Sequence, residues 1–267
     1  MEKKMFKKIV LASFLAATAS FASWDLFPVL PQQQGELQLG LNYFSYNNSF
    51  RNYKNGALEP YNENSLTARA NIRYAIIPNL EFALSMPYRV YTEVQGSDAS
   101  VYGFGNIGMS VRYQFTHQMN AFLDAEAPAG DESFNYEDVW NFFGGLQFST
   151  PFNSLVNFGS QVGLNLATRG KRDASNIGLN VSAETDFTAV QHFTPYLRAN
   201  LNADLGTFNS DGYELSEGGD IGTWITMGSK FDLSKKTNLD VYYGIGIGDH
   251  YYGTDSHNFG VNLNVKF

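Results

Sequence analysis

The sequence predicts an all-β fold: a transmembrane, up-and-down antiparallel β-barrel of about 12 strands. Three observations predict it. Apolar and polar residues alternate with period two from Gly35 to Phe267. The apolar set carries no charge, while the polar set is rich in glycine. The connections between segments alternate between short and long.

The alternation defines the elements. Leu80, Phe82, Leu84, Met86, Tyr88 and Val90 interleave with Glu81, Ala83, Ser85, Pro87 and Arg89. Val156 to Leu166 interleaves in the same way with Asn157 to Asn165. Side chains two apart share one face of a strand, so each segment has one apolar and one polar face. The segments are 36–46, 65–77, 80–91, 105–115, 119–128, 139–149, 155–168, 176–187, 195–206, 221–233, 239–248 and 258–267. Their length suits a tilted crossing of a bilayer. A soluble sandwich would place Lys and Glu on its outer positions and use shorter strands. The apolar face is therefore expected to meet lipid and the polar face to line a lumen.

The connections set the orientation. Ile77-Pro78-Asn79, Thr116–Gln118, Thr150–Ser154 and Ser234–Asn238 are short. Asn47–Asn64, Thr92–Phe104, Thr207–Asp220 and Asp249–His257 are longer and polar. Short periplasmic turns and long outer loops belong to this barrel class, and an even strand count puts both termini at the short-turn end. The stretch Thr188–Thr194 fits least well, which leaves ten strands as the alternative. Aromatics near the segment ends, among them Tyr74, Phe82, Tyr113 and Phe231 at one rim and Tyr43, Tyr88 and Trp140 at the other, form two expected girdles.

Residues 1–22 read as a secretory signal peptide: a lysine-rich start, an apolar run from Ile9, and Ser20-Phe21-Ala22 ahead of a cut between Ala22 and Ser23. Residues 23–34 are a periplasmic N-terminal segment, and residues 35–267 are the barrel. Whether the segment Trp24–Gln34 folds into the lumen or hangs free stays open. Without residues 1–22 the chain has 14 basic and 25 acidic residues, a net charge of −11, which makes nucleic acid an improbable partner. Aromatic residues make up 15% of a chain whose mean hydropathy is −0.26, so apolar groups must be interleaved with polar ones. There is no cysteine, and a closed ladder of hydrogen bonds does not need one.

The last strand, Phe259, Val261, Leu263, Val265 and terminal Phe267 in alternation, resembles the C-terminal signal by which the barrel-assembly machinery recognises outer-membrane barrels. The stretch Gly103-Phe-Gly105-Asn106-Ile107-Gly108, with Val111-Arg112-Tyr113-Gln114-Phe115, resembles a motif of the transporter family named for the meta-pathway of phenol degradation. Ala127-Pro128-Ala129-Gly130-Asp131 resembles a second motif of that family. Asn106 and Arg112 stand where the family has Asp and Lys. The resemblance implies passage of a small hydrophilic or aromatic solute, with no catalytic residues to carry over.

The expected pore-lining charges are Arg69, Arg73, Glu81, Arg89 and Arg112 in the early strands. Asp124, Glu126, Glu184, Asp186, Arg198, Asp204, Lys230, Asp232 and Asp240 follow in the later ones. They sort into a basic and a mostly acidic sector, and such rings commonly tune selectivity. The bland alternative is local pairing, as between Arg73, Glu81 and Arg112. With strands about 4.8 Å apart and tilted near 40°, 12 strands give a backbone radius of roughly 12 Å. The inward glycines are expected to keep the bore open.

The remaining motifs are decoys. Gly103 to Gly108 spells a dinucleotide fingerprint but is followed by a strand, where that motif requires a helix. The acidic run Asn209–Asp220 misses the calcium-loop register, because Gly218 falls where the bidentate Glu belongs. Ser256-His257 beside Asp255 is the sole candidate for a nucleophile and base, and adjacent loop residues more often meet water. No enzyme, cofactor or metal is expected. The reading is a porin-like channel in the outer membrane of a Gram-negative bacterium, in contact with lipid and lipopolysaccharide. An adhesin or structural barrel is the alternative, and a lipid hydrolase a more distant one. In the outer connections 15 acids stand against five bases, which predicts a modest cation preference.

Overall fold

The computed structural model describes residues 26–51, 58–94, 102–131, 138–171, 174–209, 212–215, 221–247 and 255–267. The expected cut between Ala22 and Ser23 lies outside them. The described residues contain no helix. In chain order the strands are β1 (Gly35–Arg51), β2 (Leu58–Ile77), β3 (Leu80–Val94), β4 (Gly103–Phe104), β5 (Ile107–Gln114), β6 (Met119–Ala127) and β7 (Asn141–Asn153). They continue as β8 (Val156–Ala167), β9 (Ser175–Phe187), β10 (Phe193–Asn209), β11 (Gly212–Leu215), β12 (Ile221–Asp232), β13 (Thr237–Ile247) and β14 (Asp255–Lys266).

Twelve of these close into an antiparallel barrel, each paired with its sequence neighbours. β1 pairs with β14 from Glu36↔Lys266 to Asn47↔Asp255, and β9 pairs with β10, so no edge strand is left in the ring. Gly35 and Phe267 exchange both backbone hydrogen bonds at 2.9 Å, which seals the seam at the terminal residue. The two short strands, β4 and β11, are additions at the outer end. The ten-strand alternative is excluded. Its weak point, Thr188–Thr194, is a tight turn closed by a Val190↔Phe193 bridge, with His192 in the left-handed region at φ 64°, rather than an omitted strand.

Burial is inverted relative to a soluble protein. Polar and charged residues such as Glu36, Arg73, Glu81, Arg112, Gln147, Gln161 and Glu184 are buried, while Leu39, Leu41, Leu84, Met86, Val162, Leu164 and Met227 are exposed. A water-soluble chain would pay heavily for that exchange, and a hydrocarbon surround removes the cost. The outer face is continuous across the seam, where Leu41↔Val261, Leu39↔Leu263 and Leu37↔Val265 are register partners and Tyr43↔Phe259 lies above them. At the short-turn rim Tyr74 faces Phe82, and Phe193 faces Phe231 with rings 5.1 Å apart.

Three expectations about the connections are corrected. Asn47–Asn64 is largely not a loop: β1 and β2 keep pairing to Arg51↔Leu58, because a backbone ladder satisfies its own polar groups outside the membrane. Thr207–Asp220 likewise contains the end of β10 and all of β11, paired from Gly206↔Leu215 to Asn209↔Gly212. The rest of that acidic run lies outside the described residues. His257 belongs to β14 rather than to a loop.

Candidate functional site

The ring encloses a lumen, and its lower end is filled by the chain itself. Residues 26–34 turn inward from the start of β1. Their outer end is tied to the wall by Gln33 N–H to the Ala75 carbonyl (2.8 Å) and Ala75 N–H to the Gln34 carbonyl (3.0 Å). Pro28 and Pro31 donate no backbone hydrogen bond, so the segment cannot add a regular strand. Its other groups find partners on strands all round the barrel. Leu30 N–H donates to Glu81 Oε2 on β3 at 2.9 Å. The Phe27 carbonyl accepts from Arg112 Nη1 on β5 and Asn120 Nδ2 on β6, at 3.2 and 3.4 Å. The Phe27 ring lies 5.3 Å from the Lys230 ammonium on β12. Leu26 is 2% exposed and sits against Gly159 on β8, where a Cβ would stand 3.0 Å from its own.

Seven of the expected pore-lining charges, together with Glu36, form two compact networks round this segment. In one, Arg73 bridges Glu36 at 3.1 Å and Glu81 at 3.8 Å, while Glu81 also holds Arg112. Glu36 was not among the expected residues. Its position in phase with Gln38 and Gly40 is the signal that placed it inward. In the other network Glu184 holds Arg198 and Lys230, and Lys230 reaches Asp186 at 2.9 Å. Each network balances two cations with two carboxylates. For these residues local pairing, the alternative to a selectivity role, is what the geometry places: charges too costly to bury alone are neutralised by near neighbours.

The other expected residues are placed individually. Asp124 accepts from the Ser110 hydroxyl, and Glu126 from Asn141 Nδ2 at 3.3 Å. Asp240 accepts from the Tyr196 hydroxyl and from Asn262 Nδ2, at 3.0 and 3.1 Å. Arg89 donates to the Thr92 hydroxyl at 3.0 Å, and Arg69 lies within electrostatic reach of Tyr242 and Glu126. Asp204 accepts from the N–H of Gly206 at the bulge in β10. Asp232 does not line the bore. Its side chain is 54% exposed at the short-turn rim, opposite His192, because β12 ends there. Ser256 is buried on the lumen face of β14, whereas His257 projects outward and bonds the Tyr243 hydroxyl at 2.7 Å. Successive residues of a strand point to opposite faces, so this pair cannot work as nucleophile and base.

Several of the inward glycines expected to keep the bore open are covered by rings. Gly228 and Gly260 lie under the rings of Tyr196 and Tyr242, Gly246 under Trp224, and Gly163 under Phe143. Tyr196, Tyr242, Trp224 and Phe143 were not among the expected lumen residues, although their phase puts them on the polar face.

The two motif stretches meet at the outer end. Phe104 N–H donates to Asp131 Oδ2 at 2.7 Å, Asp131 N–H to the Phe104 carbonyl at 2.8 Å, and Gly130 N–H to Asn106 Oδ1 at 3.2 Å. Gly103 has φ 130° and abuts the Asp131 carboxylate, where any side chain would collide. β5 follows the fingerprint-like run as a strand, which removes the nucleotide reading.

No family model and no curated protein matches the chain. Its fold is similar to solved outer-membrane barrels. An outer membrane channel from Pseudomonas putida F1 has a TM-score of 0.67 at 11% identity, covering 90% of this chain and 98% of that one. The NanC porin has a TM-score of 0.54 at 8% identity, covering 86% and 100%. The β domain of the Bordetella autotransporter BrkA has 0.57 at 11% identity, covering 88% and 100%. At such identities the likeness is one of fold, and it extends to channels and autotransporter barrels alike.

Proposed function

We propose that this chain is an outer-membrane channel for small solutes, closed at its short-turn end by its own residues 26–34. The observation that carries the proposal is the inverted burial: a closed ring with an apolar outside and a polar, charged inside. A barrel of this kind suits a bilayer, and a polar lumen suits passage of solutes. The similarity to outer membrane channels and the motif resemblance support the same reading. On this reading the chain sits in a Gram-negative outer membrane in contact with lipopolysaccharide, delivered by the barrel-assembly machinery after cleavage before Ser23.

The pore prefers cations modestly. The lumen networks are neutral, so the acid excess of the outer connections dominates the field within about 8–10 Å of the mouth at ordinary salt. The inward segment also favours a second reading, a structural or adhesive barrel whose bore never opens. Planar-bilayer recording separates the two. With residues 26–34 deleted, the channel reading expects a stable conductance larger than that of the intact chain, and a reversal potential of cation sign under a KCl gradient. A barrel that stays silent after the deletion is not a channel.

A further inference from the structure

Above the inward segment, one side of the lumen carries flat aromatic rings laid directly on glycines. Three register pairs repeat the device: Tyr196↔Gly228, Trp224↔Gly246 and Tyr242↔Gly260. A Cβ on Gly246 would stand 2.8 Å from Trp224 Cζ2, and one on Gly244 would stand 3.6 Å from Cε3, so the indole extends along β13 over both glycines. Phe44 on β1 lies 6.2 Å from Trp224, and Tyr46 stacks beyond it at 6.4 Å with planes 13° apart. Tyr196, the lowest ring, is buried and tied to Asp240. Tyr242, Trp224, Phe44 and Tyr46 are only half-buried, on the lumen face of β12, β13 and β1.

Glycine weakens a strand, and a ring laid over it restores part of the loss. Stiffening alone would be served as well by an ordinary β-branched pair, which needs neither glycine nor ring. What the glycines add is flatness: the rings lie along the wall instead of projecting into the bore. The groups around them carry both signs. Arg69 lies within reach of Tyr242 and Glu126, and Arg89 within reach of Glu63. A ligand here meets one apolar surface and an otherwise polar surround.

We propose that this aromatic wall is a binding site for the ring of a neutral saccharide. The inference rests on the channel reading for the solute's access and deepens it by naming a solute class. A pyranose has an apolar C–H face that can lie on Tyr242 and Trp224, and a rim of hydroxyls for carboxylates, amides and guanidinium groups. A purely aromatic solute is the poorer fit, because its second face would be left against charged, hydrated groups. A single net charge on the ligand is not called for where Arg69 and Arg89 stand with Glu126 and Glu63.

The test uses the fluorescence of Trp224 in the folded full-length barrel, with Trp24→Phe and Trp140→Phe removing the other two indoles. Maltose is titrated, with glycerol as a polyol lacking a ring and phenol as a purely aromatic ring. The expected result is a saturable change with maltose and none with glycerol. Tyr242→Ala should weaken maltose about tenfold, while Tyr242→Phe, which keeps the ring, retains the affinity. Heat-modifiable migration on gels confirms that each variant is folded. Absence of a saturable maltose signal, insensitivity to Tyr242→Ala, or saturable phenol binding with maltose inert overturns the inference. Conductance is recorded separately. A conducting barrel without maltose binding defeats the site alone, and maltose binding to a barrel that never conducts defeats the channel reading alone.

Discussion

The two ends of the lumen are built from the same alternating pattern and reach opposite results. At the short-turn end inward charges are paired: Glu36, Arg73, Glu81 and Arg112 on one side, and Glu184, Asp186, Arg198 and Lys230 on the other, gather round Leu26, Phe27 and Leu30. Toward the outer end Trp224 and Tyr242 stay half-buried on a glycine floor, with Phe44 half-buried beside Trp224. The difference lies in what sits across the bore. Charges placed opposite a peptide segment can be neutralised and dried, whereas rings lying flat along the wall leave the centre to water. One end is suited to closing and the other to receiving a solute.

The sharpest way to break this contrast is at Glu81, which joins two arginines to the Leu30 N–H. Glu81→Ala leaves buried cations without their shared carboxylate and should cost about 3–5 kcal/mol. The measurement is the denaturant midpoint of the lipid-reconstituted barrel, and a shift under about 1 kcal/mol would mean that the network is not held as described. The lipid side is tested next. Val162→Arg, at a position 47% exposed on the outer face, should destabilise by about 2–4 kcal/mol near mid-bilayer. Its neighbour Gln161, on the lumen face, is 3% exposed and bonded to Gln147, Asn180 and Ser182. Gln161→Arg should therefore be costly too, for lack of room. A half-exposed lumen position such as Thr226 is the proper control, and equal losses at Val162 and Thr226 would reverse the facing.

A smaller effect is expected at the seat of the segment. Gly159→Val places methyls against Leu26 and should loosen residues 26–34 without unfolding the ring. More frequent openings in single-channel records, with an unchanged denaturant midpoint, are the expected outcome. The smallest effect concerns the mouth: cation preference should fade as KCl approaches 1 M. A preference that persists at high salt would assign selectivity to the lumen instead.

The ring itself was legible because its signal is local and repeated. Leu80 to Val90 or Val156 to Leu166 gives strand, face and approximate ends without any knowledge of a partner. Even the closing strand, ending in Phe267, could be read that way. The extension of β1 and β2 could not, since Asn47, Asn48, Asn62 and Asn64 carry no apolar alternation and the extension is laid down by the backbone ladder. The inward segment was illegible for another reason. Leu26, Phe27, Val29 and Leu30 have no period, and their partners Glu81, Arg112, Asn120, Gly159 and Lys230 are scattered over five strands. The aromatic wall was readable in principle: Tyr242 stands in phase with Asp240 and Gly244, a parity that composition alone obscures.

The central claim, that residues 26–34 close an otherwise open channel, can be tested within one preparation because the chain has no cysteine. Leu26→Cys with Gly159→Cys puts two cysteines where the Cβ atoms would stand 3.0 Å apart, so a backbone shift of about half an ångström or more brings them to the roughly 3.5–4.5 Å that a disulfide takes up. Conductance is then recorded in planar bilayers under oxidising conditions and again after reduction. The account predicts that the oxidised barrel stays closed and the reduced barrel conducts, reversibly on reoxidation. Equal conductance in the two states, or none in either, would contradict it.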